Sequence, residues 1–399
     1  MTENNLEFKE ATRLLYEGDN IDGCTLRPEG PPIWLTSAFT MGDLDDVSAT
    51  YDKKGFTYVR TRNPNRTSLG EIISYLEQGK ETLIFSSGMG AITTTYFSLL
   101  NPGDHFIANT NIYGETFDSI TSLLTKFGVE IEFVDFRDLD AVKKAMRENT
   151  KMLYTEVVSN PTDIMADIPS LAEIAHSGNA LLMVDNTFTS PIAVKPMTLG
   201  ADIVINSLTK FMNGHSDALA GSITVNDHEI FEKIHTVRML TGTSGGPFEA
   251  WQVTRGIRTI DLRLKKQMRN AAALAKALEE NPIVLHVNHP SLDSNPQKDL
   301  AEKLFADKTL STAMLSFEMP YDMEKINAFM NRLQLAHYAP TLGGIRSTLS
   351  YPLLSSHHHV PEEERLAMGI TGGLMRVSVG IEDTEDLIAD FMQALKVFN

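Results

Sequence analysis

The sequence contains a single cysteine, Cys24, which excludes a disulfide bond within the chain. So few thiols are typical of a protein from a reducing compartment. Long apolar runs are also missing, and no stretch approaches the length that an α-helix needs to cross a bilayer. The first residues lack the basic and apolar regions of a signal peptide. These absences predict a cytoplasmic protein that does not bind to membranes.

Basic residues are too few to balance the acidic ones. The 399 residues include 35 lysines and arginines against 52 aspartates and glutamates, and the net charge is −17. This balance argues against nucleic acid and anionic membrane surfaces as partners. The hydrophobic fraction of 42% is ordinary for a globular protein, and the length suggests two or three domains. We therefore expect an enzyme that acts on a small molecule.

Strand-like apolar runs alternate with helical periodicity from about residue 68 onward. Strands are predicted at 82–85, 106–108, 129–134, 152–157, 181–184, 203–205 and 219–225, and later at 283–287, 312–318 and 374–379. Helices are predicted at 6–17, 68–78, 91–100, 115–126, 138–148, 169–176, 230–240, 248–280, 298–306, 322–333 and 384–397. Alternation at this spacing predicts βαβ units and a mostly parallel sheet.

The same pattern divides the chain into three parts. Residues 1–66 read as an irregular arm, and such long structureless segments are usually functional or pack on a partner. Residues 67–262 are predicted to form an α/β domain, and residues 263–399 a smaller α+β domain. Within the arm, the segment 58–66 concentrates an aromatic residue, a turn and three guanidinium groups.

Two polar side chains follow neighbouring buried strands of the predicted sheet. Asp185 ends the run 181–184, and Lys210 follows the run 203–205. Taken singly, Lys210 fits a solvated surface lysine and Asp185 fits a cap or turn residue. Together they fit a pyridoxal phosphate site, because that cofactor needs a lysine for its aldehyde and a carboxylate for its pyridine nitrogen. Parallel α/β sheets place such groups at the carboxyl ends of their strands.

Further groups could serve the same cofactor. The glycine turn at Gly88-Met89-Gly90 lies between a strand and a helix, where backbone amides can hold a phosphate. Ser207 and Thr209 could add hydroxyl groups, and Tyr113 could stack on a flat ring. A glycine turn alone is a weak signal, and Tyr113 fits a structural tyrosine about as well.

The run from Ser207 to Asp217 resembles the lysine motif of the Cys/Met metabolism pyridoxal phosphate enzymes. This group includes cystathionine γ-lyase, cystathionine β-lyase, methionine γ-lyase and cystathionine γ-synthase. The resemblance extends over nearly the whole chain. The other matching segments are 58–64, 87–89, 113–114, 159–162, 184–188, 342–344 and 376–383.

The resemblance implies an α/β fold of type I, as in aspartate aminotransferase, with pyridoxal 5'-phosphate as the cofactor. It implies that Lys210 is the Schiff-base lysine and the proton shuttle, and that Asp185 pairs with the pyridine nitrogen. It also implies that Tyr113 stacks on the ring and assists proton transfer. The phosphate would be held by Gly88, Met89, Ser207 and Thr209, and by Tyr58 and Arg60 of a neighbouring subunit.

The resemblance also implies a substrate pocket and an assembly. Asn160 would contact the cofactor and the substrate, and Arg376 would bind the α-carboxylate with Ser347 nearby. A site shared between subunits implies a dimer at least, and commonly a homotetramer. No metal is implied, because three consecutive side chains such as His357-His358-His359 point in divergent directions, and we expect them to form a loop over the site entrance.

Two positions depart from the family pattern. Arg346 stands where many relatives have a glutamate, and Glu115 stands where methionine γ-lyases typically have a cysteine. We expect either that both contact the substrate or that they form a structural ion pair. The resemblance implies a carbon–sulfur lyase that releases a 2-oxo acid, ammonia and a thiol by γ- or β-elimination. The alternative is a γ-synthase, which replaces the activating group of a homoserine ester with a thiol.

Overall fold

The computed structural model of the chain describes residues 8–19, 28–307, 309–355, 358 and 361–399. Cys24, His357 and His359 lie outside these residues, so the predictions for the thiol and for the histidine loop are not addressed. Within the described residues, no helix is both long and apolar enough to span a membrane.

A seven-stranded sheet forms the centre of the large α/β region. Its strands run in the order β1-β7-β6-β5-β4-β2-β3, and only β7 runs antiparallel to its neighbours. The strands are β1 Glu81–Phe85, β2 His105–Asn109, β3 Glu130–Val134, β4 Thr150–Glu156, β5 Leu181–Asp185, β6 Ile203–Ser207 and β7 Gly221–Val225. The prediction of a mostly parallel sheet is confirmed.

Helices cover both faces of this sheet, and a separate hydrophobic cluster fills each side. The helices up to the end of this region are α1 Glu10–Arg13, α2 Leu44–Asp52, α3 Pro64–Glu77, α4 Gly88–Leu99, α5 Gly114–Ser122, α6 Leu139–Ala145, α7 Ile168–Ser177, α8 Ser190–Ala193, α9 His228–Thr241, α10 Pro247–Ile257 and α11 Ile260–Glu279. Coverage on both faces is what lets β5 and β6 be almost entirely apolar.

A five-stranded, mostly antiparallel sheet follows, with a third hydrophobic cluster around Phe317, Phe329 and Phe391. Its strands, in the order β10-β11-β12-β9-β8, are β8 His286–Asn288, β9 Met314–Glu318, β10 His337–Tyr338, β11 Thr348–Ser350 and β12 Leu374–Ser378. The remaining helices are α12 Lys298–Leu304, α13 Met323–Arg332, α14 Glu362–Ala367 and α15 Thr384–Leu395.

Several local predictions differ from the structure, and three of them have a clear physical reason. Helix α4 begins at Gly88 rather than at Ala91, because the Ser87 side chain caps it by accepting a hydrogen bond from the Gly90 amide at 2.9 Å. The predicted helix 248–280 is two helices, since the backbone of Thr259 leaves the helical region (φ −107°, ψ 11°). The predicted arm contains α2, which buries none of its residues and therefore shows no apolar stripe.

Candidate active site

The carboxyl ends of β4, β5 and β6 bring polar side chains to one edge of the large sheet. Glu156 at the end of β4 pairs in register with Asp185 at the end of β5, and Asp185 pairs with Ile205 of β6. Lys210 follows β6 by three residues. Ligands of open α/β sheets bind at this edge, as expected for the Asp185 and Lys210 pair.

A cavity of about 210 Å³ opens at this edge. It is lined by most of the residues that the sequence singles out: Gly88, Met89, Tyr113, Asn160, Asp185, Ser207, Thr209, Lys210 and Arg376. Their elements are far apart in the chain, and the sheet and the small C-terminal sheet bring them together.

Lys210 lies partly buried in this cavity. Burial lowers the pKa of its ammonium group, the positive charge of Arg376 lowers it further, and Glu115 acts in the opposite direction. The backbone around Lys210 is packed tightly against the loop 342–344. A Cβ on Gly343, whose φ is +82°, would lie 2.7 Å from the carbonyl carbon of Lys210, so that only glycine fits there.

Asp185, which is half-buried, and Glu156, which is buried, form a pair of carboxyl groups that line the cavity. Asp185 Oδ1 accepts a hydrogen bond from the Thr187 amide at 2.8 Å. Burial raises the pKa of both carboxyl groups, and the charge of Asp185 raises that of Glu156 further. The pair therefore needs a cation, a proton or a positively charged ligand group in the cavity.

Glu156 also fixes two pieces of backbone that line the site. Its Oε1 accepts a hydrogen bond from the Tyr113 amide at 2.6 Å, and its Oε2 accepts one from the Asn160 amide at 3.3 Å. Sequence reasoning missed Glu156, although its position at the end of a buried strand is the same signal that pointed to Asp185.

The N-terminus of α4 faces the turn after β6. The first amides of an α-helix have no partner within the helix, and here they belong to Gly88 and Met89. A Cβ on Gly88 would lie 3.2 Å from the Ser207 hydroxyl oxygen, and a Cβ on Gly221 would lie 2.2 Å from the Ser87 carbonyl oxygen. The backbone thus leaves a narrow cradle of amides and hydroxyls at a positive helix end, which suits a phosphate.

Tyr113 stands at the start of α5 with about a third of its surface exposed. Burial of its hydroxyl and a hydrogen bond to the Glu115 carboxylate both raise its pKa. Glu115 itself is exposed. The structure therefore places Glu115 beside Tyr113 and close enough to Lys210 to affect its charge.

Arg376 on β12 reaches the cavity from the small sheet and is buried. Its Nη1 donates to Asn160 Oδ1 at 3.0 Å, and its Nη2 donates to the Thr341 carbonyl at 3.1 Å. Both acceptors are neutral, so the guanidinium keeps its positive charge uncompensated by these contacts. Such a group at the end of a pocket can bind a carboxylate.

Five predicted site residues do not line the cavity, and one of them is the exposed Glu115. Ser347 is fully buried, and its hydroxyl donates to Glu382 Oε2 at 2.9 Å and accepts the Gly380 amide at 2.9 Å. Tyr58 is 46% exposed, and Arg60 donates to the Met239 carbonyl at 2.7 Å. Arg346 is exposed, and the ion pairs of the described residues do not include one between it and Glu115.

The residues of the cavity fit pyridoxal 5'-phosphate. A protonated pyridine nitrogen supplies the positive charge that the Asp185 and Glu156 pair needs. The amide cradle at Gly88 accommodates a phosphate, and Lys210, with its lowered pKa, can react with an aldehyde. The three groups belong to one continuous cavity, as a single ligand requires.

Comparisons with known proteins agree with this geometry. The family model described as Cys/Met metabolism PLP-dependent enzyme matches residues 11–396. An L-methionine γ-lyase of Treponema denticola is 38% identical over 97% of this chain and 98% of its own, and a cystathionine γ-lyase of Bacillus subtilis is 41% identical over 86% and 89%. A cystathionine γ-synthase structure from Xanthomonas oryzae superposes with a TM-score of 0.92 at 33% identity, over 98% and 99% of the two chains.

These matches cover the arm, the large sheet and the small sheet together. They confirm the predicted type I fold and the predicted cofactor, pyridoxal 5'-phosphate. The chain therefore belongs to the family of Cys/Met metabolism PLP-dependent enzymes and is a PLP-dependent carbon–sulfur lyase.

Proposed function

We propose that this enzyme cleaves cystathionine and similar L-amino acids by γ-elimination, releasing a 2-oxo acid, ammonia and a thiol. The observation that carries the proposal is the Glu115 carboxylate beside Tyr113 and Lys210. Its negative charge lies next to the reacting groups. There it can bind the second ammonium group of a substrate such as cystathionine.

The cofactor, when bound, supplies an electron sink for the negative charge that develops at the substrate's α-carbon. Lys210 would hold the aldehyde, Asp185 would pair with the pyridine nitrogen, and Tyr113 would stack on the ring. Asn160 would contact the phenolic oxygen. The amides of Gly88 and Met89 bind the phosphate, with the hydroxyls of Ser207 and Thr209.

Lys210 Nζ moves the protons of the reaction. Its lowered pKa increases the fraction of free amine at neutral pH, and a free amine can take the proton from the substrate's α-carbon. For γ-elimination the amine must first give up this proton. The free amine then takes a second one, from the β-carbon, the sulfur leaves the γ-carbon with its electron pair, and the departing thiolate takes up a proton. Tyr113, whose hydroxyl keeps its proton because its pKa is raised, can donate a hydrogen bond beside the reaction centre.

Arg376 binds the α-carboxylate and orients the α-carbon toward Lys210. Asn160 holds the guanidinium in place and touches the substrate from the same side. A bidentate guanidinium–carboxylate pair fixes direction as well as position.

Glu115 favours a distal ammonium group over a bare methyl group. Methionine has no ammonium group at that end and would gain nothing from the Glu115 charge, which stays exposed to water. Arg346 is exposed and, like Glu115, lies outside the cavity lining. Unlike Glu115, it is not among the charges that shift the pKa of Lys210, so that we assign it a smaller contribution, to a distal carboxylate.

The most direct test is product analysis with cystathionine, methionine, homocysteine and cysteine. The proposal predicts 2-oxobutanoate, ammonia and cysteine from cystathionine, whereas β-elimination would give pyruvate and homocysteine instead. Pyruvate as the main product, or a higher kcat/KM for methionine than for cystathionine, would contradict it. A Glu115→Gln variant made in parallel separates the contribution of the charge from that of the side chain's size.

A second candidate function is γ-replacement, which the superposition on a cystathionine γ-synthase favours. The same cavity would then accept an activated homoserine ester and a thiol. Supplying O-succinylhomoserine with cysteine distinguishes the two reactions, since a synthase forms cystathionine and a lyase consumes it.

We further propose that Tyr58 and Arg60 complete the phosphate site of a neighbouring subunit in a dimer or homotetramer in the cytoplasm. Both lie outside the cavity of their own chain, and the Arg60 guanidinium lies 5.8 Å from the Tyr58 ring, so that the two side chains point out together. Mixing inactive Arg60→Ala and Lys210→Ala subunits should restore part of the activity, since some sites then contain both residues. Absence of recovery after verified subunit exchange would contradict shared sites.

A further inference from the structure

A buried carboxyl group outside the set described above, that of Asp163, is close enough to Arg376 for the two charges to interact. Asp163 belongs to the turn that follows Asn160, and its backbone has a φ of +55°, which aspartate tolerates better than most residues. Only 2% of the residue is exposed. Among the described residues, neither of its carboxylate oxygens makes a hydrogen bond of good geometry, although the Ser316 hydroxyl is near enough to act on its charge. A carboxyl group so weakly satisfied at such depth requires an explanation.

A hydrogen bond connects the turn that contains Asp163 to the strand that carries Arg376. Asn160, three residues earlier, accepts a hydrogen bond from Arg376 Nη1 at 3.0 Å, and the Asp163 amide donates to the Ser159 carbonyl at 3.0 Å. On the other side, Arg376 of β12 pairs in register with Ser316 of β9. Arg376 Nε is buried and has no partner among the described residues.

The electrostatics of Asp163 and Arg376 are linked. Burial raises the pKa of Asp163 well above its usual value, while the charge of Arg376 and the Ser316 hydroxyl act in the opposite direction. Burial likewise lowers the pKa of Arg376 to about 10, and Asp163, Tyr338 and Tyr113 oppose this effect. The remaining titratable group that senses Arg376 is Lys210, across the cavity.

We propose that Asp163 tunes the affinity of Arg376 for the substrate's carboxylate: with its proton, Asp163 leaves the guanidinium free to bind, and without it Asp163 competes as an internal anion. The inference rests on the proposed function, in which Arg376 binds the α-carboxylate. Asp163 touches neither cofactor nor substrate and is therefore a positioning residue.

The expected consequence follows from charge balance. A bound carboxylate and an ionised Asp163 would place two anions around one buried guanidinium, so that binding favours the protonated form of Asp163. Carboxylate affinity should then fall as pH rises through the pKa of Asp163. Binding measured in the alkaline part of the range should be accompanied by proton uptake.

The test measures binding of propionate, a carboxylate without an amino group, to the holoenzyme by calorimetry. Affinities are compared for wild type and Asp163→Asn from neutral pH to about one unit below the pKa of Arg376, where the guanidinium keeps its proton. Over this range the wild type should lose about tenfold in affinity and Asp163→Asn less than about threefold, because the amide cannot ionise. The titration of Lys210 and Tyr113 affects both proteins and cancels in the comparison.

Arg376→Ala is the control for the site itself. If it does not weaken propionate binding, Arg376 is not the carboxylate site, and both the proposed function of Arg376 and this inference fail. If it does, but wild type and Asp163→Asn lose affinity in parallel as pH rises, only the role of Asp163 is overturned. A constant difference between them at every pH would also overturn it, since Asp163 would then be charged throughout. Asp163→Ser, in which a small hydroxyl cannot ionise, gives the same prediction if Asp163→Asn does not fold.

Discussion

A pair of carboxyl groups and a single carboxyl group lie on opposite sides of the same strands. On one side, Asp185 and Glu156 line the cavity together with Lys210. On the other side, Glu77 of α3 is fully buried, and its Oε1 accepts hydrogen bonds from Asn186 at 3.0 Å and Asn206 at 2.7 Å. Side chains at neighbouring positions of an extended chain point to opposite faces. For this reason Asp185 lies on the cavity side, whereas Asn186 binds Glu77 on the other side.

Both groups have perturbed pKa values for the same main reason. Burial raises the pKa of Glu77 to about 7, as it raises those of Asp185 and Glu156. Neutral amides of the protein bind Glu77, however, whereas the pair in the cavity has room for an outside ligand. A perturbed pKa therefore indicates burial, and it indicates function only where a cavity and a reacting group accompany it.

The strongest test of this contrast is Lys210→Ala. Removing the amine that holds the cofactor and moves protons should lower kcat by at least about a thousandfold. Circular dichroism should be unchanged, and the visible absorbance of the bound cofactor should be lost or shifted. Lys126→Ala, which removes an exposed lysine, is the matched control and should keep full activity. Substantial turnover by Lys210→Ala without added amines would rule out the assigned role.

Within the cavity pair, Asp185 should matter more than Glu156. Asp185→Asn removes the charge opposite the pyridine nitrogen and should lower kcat by about ten- to a hundredfold, the equivalent of one charge-assisted hydrogen bond. Glu156→Gln should cost less, because its contacts are to the amides of Tyr113 and Asn160 rather than to the cofactor. Steady-state kinetics at saturating cofactor check the order, and equal losses would show that the two carboxyls act as one unit.

Substitutions at the pocket's outer edge should change specificity rather than turnover. Glu115→Gln should lower kcat/KM for cystathionine about tenfold or more and for methionine much less, because only cystathionine has a distal ammonium group. Arg346→Ala should have a smaller effect in the same direction, since Arg346, unlike Glu115, is not among the charges that act on Lys210. If Glu115→Gln lowers kcat/KM equally for both substrates, Glu115 instead acts by positioning Tyr113.

The smallest effect on activity is expected for Glu77→Gln, which should change stability. The folded pKa of about 7 lies above the ordinary value of 4.5, so the folded state binds its proton more tightly than the unfolded state does. The free energy of unfolding should therefore fall as pH rises from about 4.5 through about 7. Glu77→Gln should avoid this loss, which is on the order of 1–3 kcal/mol. Urea denaturation of both proteins at acidic and alkaline pH measures it, and a difference independent of pH would contradict the titration of Glu77.

The elements of the large sheet were predictable because their patterns are strong. Buried parallel strands such as β5 and β6 read as apolar runs, and the polar residue that ends each run marks the edge where ligands bind. Helix α2 was not predictable from periodicity, because it buries no side chain. The two-residue strand β10 was missed for a similar reason, since both of its residues are exposed.

For the site, the sequence by itself determined the chemical types: a lysine and an aspartate after neighbouring strands, a glycine turn before a helix, and motifs that identify the family. The tertiary structure alone decided which groups meet. It placed Glu156 next to Asp185, brought Glu115 to Tyr113, buried Ser347 against Glu382, and set Asp163 close to Arg376. The physical reason is that local patterns are set by neighbours along the chain, whereas burial and charge pairing depend on residues that can be two hundred positions away, as Asn160 and Arg376 are.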